Sequence, residues 1–263
     1  MKTPCQRVGL MCVSLWLGVA PLAAAEEAHE NEAHEPVRFE HYLLNQGYDT
    51  AERGEFAVEL YNDMNFAEAD NDDTYNSKHQ IELEYGITDH LQLAYYEVYT
   101  WDRTKDWERD EFKIEAKARF AEAGQWPVDV ALYTEYKNPN GHRDQASDEL
   151  ENKVILSKNV GPWNVVGNFV FEKKLNTHSD WEFEYTAGIS YALTPKTRVG
   201  LELKETLGDS GEFGFRRKDH QAYLVPGLYA QLRPHLKILI GPAFGLTRAS
   251  DDVQLKSIVE AEF

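Results

Sequence analysis

Apolar and polar residues alternate one by one through most of this chain. Trp181, Phe183, Tyr185, Ala187, Ile189, Tyr191 and Leu193 are interleaved with Glu182, Glu184, Thr186, Gly188 and Ser190. Phe112, Ile114, Ala116, Ala118 and Phe120 are interleaved with Lys113, Glu115, Lys117 and Arg119. Successive side chains of a strand point to opposite faces, so a period of two marks a strand with one oily and one wet face. A helix needs apolar stripes at i, i+3 and i+4, and here those would mix Glu and Lys into every face. The pattern recurs over 55–66, 77–88, 90–101, 109–121, 127–138, 149–160, 163–175, 181–194, 197–208, 219–232, 235–246 and 252–263.

The connections sort by length. Tight turns fall at Thr88-Asp89, Gly161-Pro162, Thr194-Pro195-Lys196 and Arg233-Pro234, with 121–126 in an equivalent position. Longer, acidic connections fall between them. Each segment can cross a bilayer at a tilt, which takes about 9–11 residues. An even strand count, with short turns on one side and long loops on the other, is the habit of an outer-membrane barrel. Closure is also the only way a sheet satisfies all its backbone groups in lipid. The fold expected over 54–263 is all-β: a transmembrane antiparallel up-and-down β-barrel of about 12 strands, both termini periplasmic, in the outer membrane.

Composition narrows the alternatives. A mean hydropathy of -0.57, with no long apolar run after the N-terminus, excludes a helical membrane protein. The 45 Asp and Glu against 27 Lys and Arg argue against nucleic-acid binding, which needs clustered positive charge. The 14 Tyr, 12 Phe and 6 Trp are too many for a disordered acidic chain.

The first 25 residues read as a secretory signal. Lys2 and Arg7 precede an apolar run from Val8 to Leu22, and Ala23-Ala24-Ala25 supply a small-residue cleavage site. Both cysteines, Cys5 and Cys12, lie inside it, which excludes a disulfide scaffold or a Cys-ligated zinc in the mature chain. Residues 26–53 read as an acidic, His/Glu-rich leader, largely disordered. His29 and His34 lie within it among glutamates and are a candidate metal pair, since imidazole with carboxylate suits Zn or Cu.

The chain ends in Ser257-Ile258-Val259-Glu260-Ala261-Glu262-Phe263, with alternating apolar residues before a free Phe. This resembles the C-terminal β-signal of outer-membrane proteins, and the resemblance implies Phe263 as an assembly signal read by the outer-membrane assembly machinery. Glu84-Tyr85-Gly86-Ile87-Thr88-Asp89-His90-Leu91, echoed by Ser190-Tyr191-Ala192-Leu193-Thr194-Pro195-Lys196, resembles the strand–turn–strand unit of small transporter-like barrels. The nearest family by resemblance is that of MetA-like barrels from aromatic-degradation operons, over about 77–263. It implies a transporter-like barrel surrounded by lipid and lipopolysaccharide, and carries over no site residue.

Catalysis is not expected. Barrel lipid hydrolases need a His and a Ser on one face of a strand, two apart. The adjacent His178-Ser179 would point to opposite faces if in a strand. No cofactor motif is present.

Strand parity assigns a lumen lined by Glu82, Glu84, Glu111, Lys113, Glu115, Lys117, Arg119, Asp129, Glu135, Lys137, Glu151, Lys153, Glu182, Glu184, Glu202 and Lys204. The function expected is a channel or transporter passing small polar solutes through a narrow mixed-charge lumen, with weak cation preference from acidic loops. The alternatives are a closed structural barrel partnering a periplasmic assembly, and a metal-handling barrel using the His/Glu leader. Charge also predicts a register. In the hairpin 109–138, pairing residues whose numbers sum to 248 sets Glu111 opposite Lys137, Lys113 opposite Glu135 and Arg119 opposite Asp129. A sum of 250 would oppose like charges, which is unfavourable in a ladder.

Overall fold

The computed structural model describes residues 39, 41–67, 77–101, 107–139, 147–176, 179–214 and 219–263. The proposed signal segment, His29 and His34 lie outside the described residues. Twelve strands are present: β1 (Phe56–Ala67), β2 (Ser77–Thr88), β3 (Leu91–Trp101), β4 (Glu108–Arg119), β5 (Asp129–Pro139) and β6 (Glu149–Val160). They continue with β7 (Trp163–Lys174), β8 (Trp181–Thr194), β9 (Thr197–Asp209), β10 (Ala222–Arg233), β11 (Leu236–Gly245) and β12 (Val253–Glu262). Each expected strand is present, with bounds within three residues. Every strand pairs antiparallel with its neighbours in sequence, and β1 pairs with β12 to close the barrel. Beyond the last strand, Phe263 N–H still donates to the carbonyl of Phe56 at 2.8 Å. The terminal residue thus completes the seam, at the same rim as the tight turns.

The period-two pattern becomes two faces. Leu60, Ile81, Leu83, Leu93, Ile114, Leu132, Phe169, Ile189, Leu201, Leu228 and Ile240 are exposed on the outside of the wall. So continuous an apolar belt around a closed sheet marks the lipid-facing surface of an outer-membrane barrel. Trp126 and Trp163 are exposed near the tight turns, and Trp107 and Trp181 at the opposite rim, as interfacial aromatics are. The alternate residues point inward, and many of them, such as Glu59, Glu82, Glu115, Tyr133, Ile155 and Glu202, are buried.

The register of the β4–β5 hairpin differs from the charge-based expectation. Facing residues sum to 250, so Lys113 opposes Lys137 and Glu115 opposes Glu135. Asp129, expected opposite Arg119, instead accepts the N–H of Gly124 at 2.7 Å inside the turn. Gly124 has φ 82°, a conformation glycine adopts freely, so turn geometry sets the register. Arg119 turns to Glu122, at 3.1 Å, and to the Asp89 carbonyl, at 2.7 Å. The opposed like charges separate through diagonal contacts: Lys113 Nζ reaches Glu135 at 3.5 Å, and Lys137 Nζ leans away from β4 to Glu151 on β6 at 2.7 Å. Glu111 pairs with Lys78 and Lys113 rather than Lys137. A long, flexible lysine reaches its diagonal neighbours, so direct opposition alone does not decide the pairing. Inward and outward faces are the same in both registers.

Candidate functional site: a lumen occupied by residues 39 and 41–53

Residues 39 and 41–53, grouped above with the leader, run through the barrel interior. Phe39, His41, Tyr42, Leu43, Asn45, Tyr48, Thr50 and Ala51 are buried. This plug crosses from the β1–β2 wall to the β7–β9 wall and returns to the turn-side rim, where β1 begins. Its apolar side chains join an inner cluster with Tyr133, Ile155, Val166, Tyr223, Val225, Tyr229, Leu239 and Ile258. Tyr42 packs edge-on against Tyr229, with ring centroids 5.3 Å apart. Burying each such side chain contributes roughly 1.5–3 kcal/mol.

Polar contacts fix the path. The N–H groups of Leu43, Leu44 and Asn45 converge on the Glu202 carboxylate at 2.9, 2.7 and 3.0 Å. Asn45 Nδ2 and Tyr229 Oη donate to it as well, each at 2.7 Å. Successive backbone N–H groups around one anion form a nest. Gln46 exchanges two hydrogen bonds with Asn168, and Tyr42 Oη donates to Asn164. Near the rim, Ala51 N–H donates to Gln92, and Tyr48 Oη to the Ala121 carbonyl. Gly86 leaves room for the exit, since a Cβ there would lie 1.9 Å from the Glu52 carbonyl oxygen. Burial, the leading influence on Tyr42, pushes its hydroxyl up to about 12, so it stays a neutral donor.

His41 inserts among acids. Its Nε2 lies 3.1 Å from Glu59 and 3.6 Å from Glu84. Burial alone would lower the His41 pKa, but Glu59 and Glu84 outweigh it and hold the ring well above its ordinary value. Glu82 joins this group, bridged to Glu59 by Tyr61 Oη at 2.8 and 2.9 Å.

On the side of the plug away from the tight turns the lumen is acidic. A cavity of about 270 Å³ is bordered by Glu151, Glu172, Glu182, Glu184, Asp209 and Asp219, with His220. Lys137 holds Glu151 and Glu172, and Lys153 holds Glu151 at 2.8 Å. Lys204 holds Glu184 at 2.7 Å.

The residues assigned by parity thus fall into three groups. Glu82, Glu84, Glu115 and Lys117 surround the inner end of His41. Glu111, Lys113, Glu135, Lys137, Glu151, Lys153, Glu182, Glu184 and Lys204 belong to ion-pair networks or to the acidic cavity. Glu202 binds the plug, while Asp129 and Arg119 serve the turn rim. Sequence reasoning did not identify the plug residues or Asn164 and Asn168. A signal was present: β10 and β11 read AYLVPGLYAQLR and LKILIGPAFG, apolar on both faces, so something had to cover the inner one.

No protein-family model matches the chain, and no curated protein matches it in sequence. Solved structures do match in fold. The COG4313 outer membrane channel from Pseudomonas putida F1 aligns with a TM-score of 0.60 at 12% identity, covering 82% of this chain and 98% of its own. The KdgM porin aligns at 0.56 with 9% identity, covering 79% and 99%. The NanC porin aligns at 0.52 with 10% identity, covering 78% and 98%. The fold is that of an outer-membrane β-barrel.

Proposed function

We propose that this barrel is a gated outer-membrane channel for small polar solutes, with weak cation preference, closed when residues 39–53 occupy the lumen. The observation that carries this reading is the acidic cavity on the long-loop side of the plug. Val170, which borders the cavity, is the next inward residue after Asn168, which holds Gln46. A solute entering from the loops therefore meets carboxylates first and the plug next. Carboxylates around a narrow, low-dielectric mouth raise the local concentration of cations. The KdgM porin has been solved in complex with disordered oligogalacturonate. Such a polyanion would be repelled by Glu172, Glu182 and Asp209 here, which favours a cationic or neutral solute. Periplasmic termini, assembly through Phe263 and a lipopolysaccharide surround belong to the same reading.

Planar-bilayer recording of the mature chain in a salt gradient tests it. Brief openings are expected, with a reversal potential on the cation side that moves toward zero in Glu172→Gln/Glu182→Gln. A reversal potential on the anion side would reject the selectivity. Silence at every voltage, with the plug loosened as well, would favour the closed structural barrel. The dense packing of Tyr42, Leu43 and Tyr229 across the lumen is what speaks for that second reading.

A further inference from the structure

We propose that His41 of the plug and Glu59, Glu82 and Glu84 of the wall form a binding site for a divalent transition-metal ion. One ligand atom from each of the four residues lies within 4.8 Å of every other, and all four residues are buried. Inward parity places Glu59 on β1 and Glu82 and Glu84 on β2 side by side, because Glu59 faces Glu82 directly across the ladder. The plug delivers the imidazole from the opposite direction.

Two observations beyond the clustering point to a ligand. The first is unmet bonding capacity. Both ring nitrogens of His41 lack a hydrogen bond although the residue is 2% exposed; its Nε2 approaches the carboxylates off the hydrogen-bonding direction. Glu82 Oε1 also has no partner, in a residue with no exposed surface. Buried polar atoms are rarely left unpaired, because they lose their hydration with nothing in return. The second is charge. Glu59, Glu82, Glu84 and Glu115 are all buried, and the cationic groups beside them among the described residues are Lys117 and, when protonated, His41. Tyr61 has one hydroxyl proton for two carboxyl groups, so the second approach calls for another proton or a cation between them. A divalent cation that displaces the His41 proton reduces this excess and fills the unmet valences.

The surrounding donors suit the role. Tyr61 orients Glu59 and Glu82, and Gln92 donates to Glu84 while accepting from Ala51 N–H. Such outer partners fix metal ligands in place. One imidazole with carboxylates fits zinc or manganese rather than a soft ion that needs thiolate. Because His41 belongs to the plug, the ion would tie the plug to the wall. That consequence rests on the gating proposed above; the site itself does not.

The test is zinc and manganese binding to the refolded mature barrel, by calorimetry and by metal content after gel filtration. One equivalent is expected for the native chain. Binding should be lost in His41→Ala and in the isosteric Glu82→Gln, and weakened roughly 10–100-fold in Tyr61→Phe. His29→Ala/His34→Ala should still bind one equivalent. If His41→Ala does not assemble, Glu82→Gln and Tyr61→Phe decide. The proposal is overturned if the native barrel binds no ion, if Glu82→Gln binds like the native chain, or if the His29/His34 variant loses the equivalent. Metal content reads the site independently of conductance, so a silent channel that binds one ion would reject the gating and keep the site.

Discussion

Glu202→Ala is expected to release the plug and raise channel open probability by about a hundredfold or more. The Glu202 carboxylate gathers three backbone N–H groups of the plug, the Asn45 amide and the Tyr229 hydroxyl. Hydrogen bonds to a charged group are worth roughly 1.5–3 kcal/mol each. Their sum is not additive, but a net loss of only about 3 kcal/mol changes an equilibrium roughly a hundredfold. The N–H groups left behind favour water, which they reach only if the plug leaves the lumen. Glu202→Gln keeps the shape but sets an amide N–H₂ against donors, so it should open the channel too. Glu182→Ala, at the exposed outer end of β8, should leave gating unchanged. Single-channel recording decides, and native-like open probability in both Glu202 variants would reject the nest as the latch.

Lys137→Met should destabilise the barrel by roughly 1–3 kcal/mol, because it strips the cation from acids that are partly buried at the cavity wall. Lys137 Nζ lies 2.7 Å from Glu151 and also contacts Glu172, with Glu135 at 3.8 Å. The methionine fills a similar volume but leaves Glu135 to Lys113 and Glu151 to Lys153. Urea unfolding in lipid vesicles reads the change. The double variant Lys137→Met/Glu172→Gln should recover part of the loss, because one unpaired charge is gone. A midpoint unchanged in Lys137→Met would show that the network is solvated rather than buried.

Alternation carried most of the architecture. It is set by the geometry of each strand alone, so Leu60, Ile81 and Leu132 could be placed on the lipid face, and Glu82 and Lys137 inside, without knowing any partner. Register depends on two strands and their turn, and there local charge logic failed. Asp129 capped Gly124 instead of facing Arg119, and Lys113 reached Glu135 diagonally. The plug was harder still. Around it the sequence is polar and acidic like a solvated leader, and the contacts that bury it lie far away, from Leu43 to Glu202 and from Tyr42 to Asn164. No local period reports pairings of that separation. The doubly apolar strands β10 and β11 were the trace it left in the sequence.

The occupation of the lumen by residues 39–53 can be read with a single introduced thiol, because Cys5 and Cys12 are the chain's only cysteines and lie in the proposed signal segment. In the assembled barrel, Leu43→Cys should resist a water-soluble maleimide while Glu52→Cys, at the exposed end of the plug, reacts rapidly. Adding Glu202→Ala should expose the thiol at position 43. Equal, rapid labelling at 43 and 52 in the otherwise native chain would mean that the segment lies outside the lumen, and the proposal of a plugged channel would be wrong.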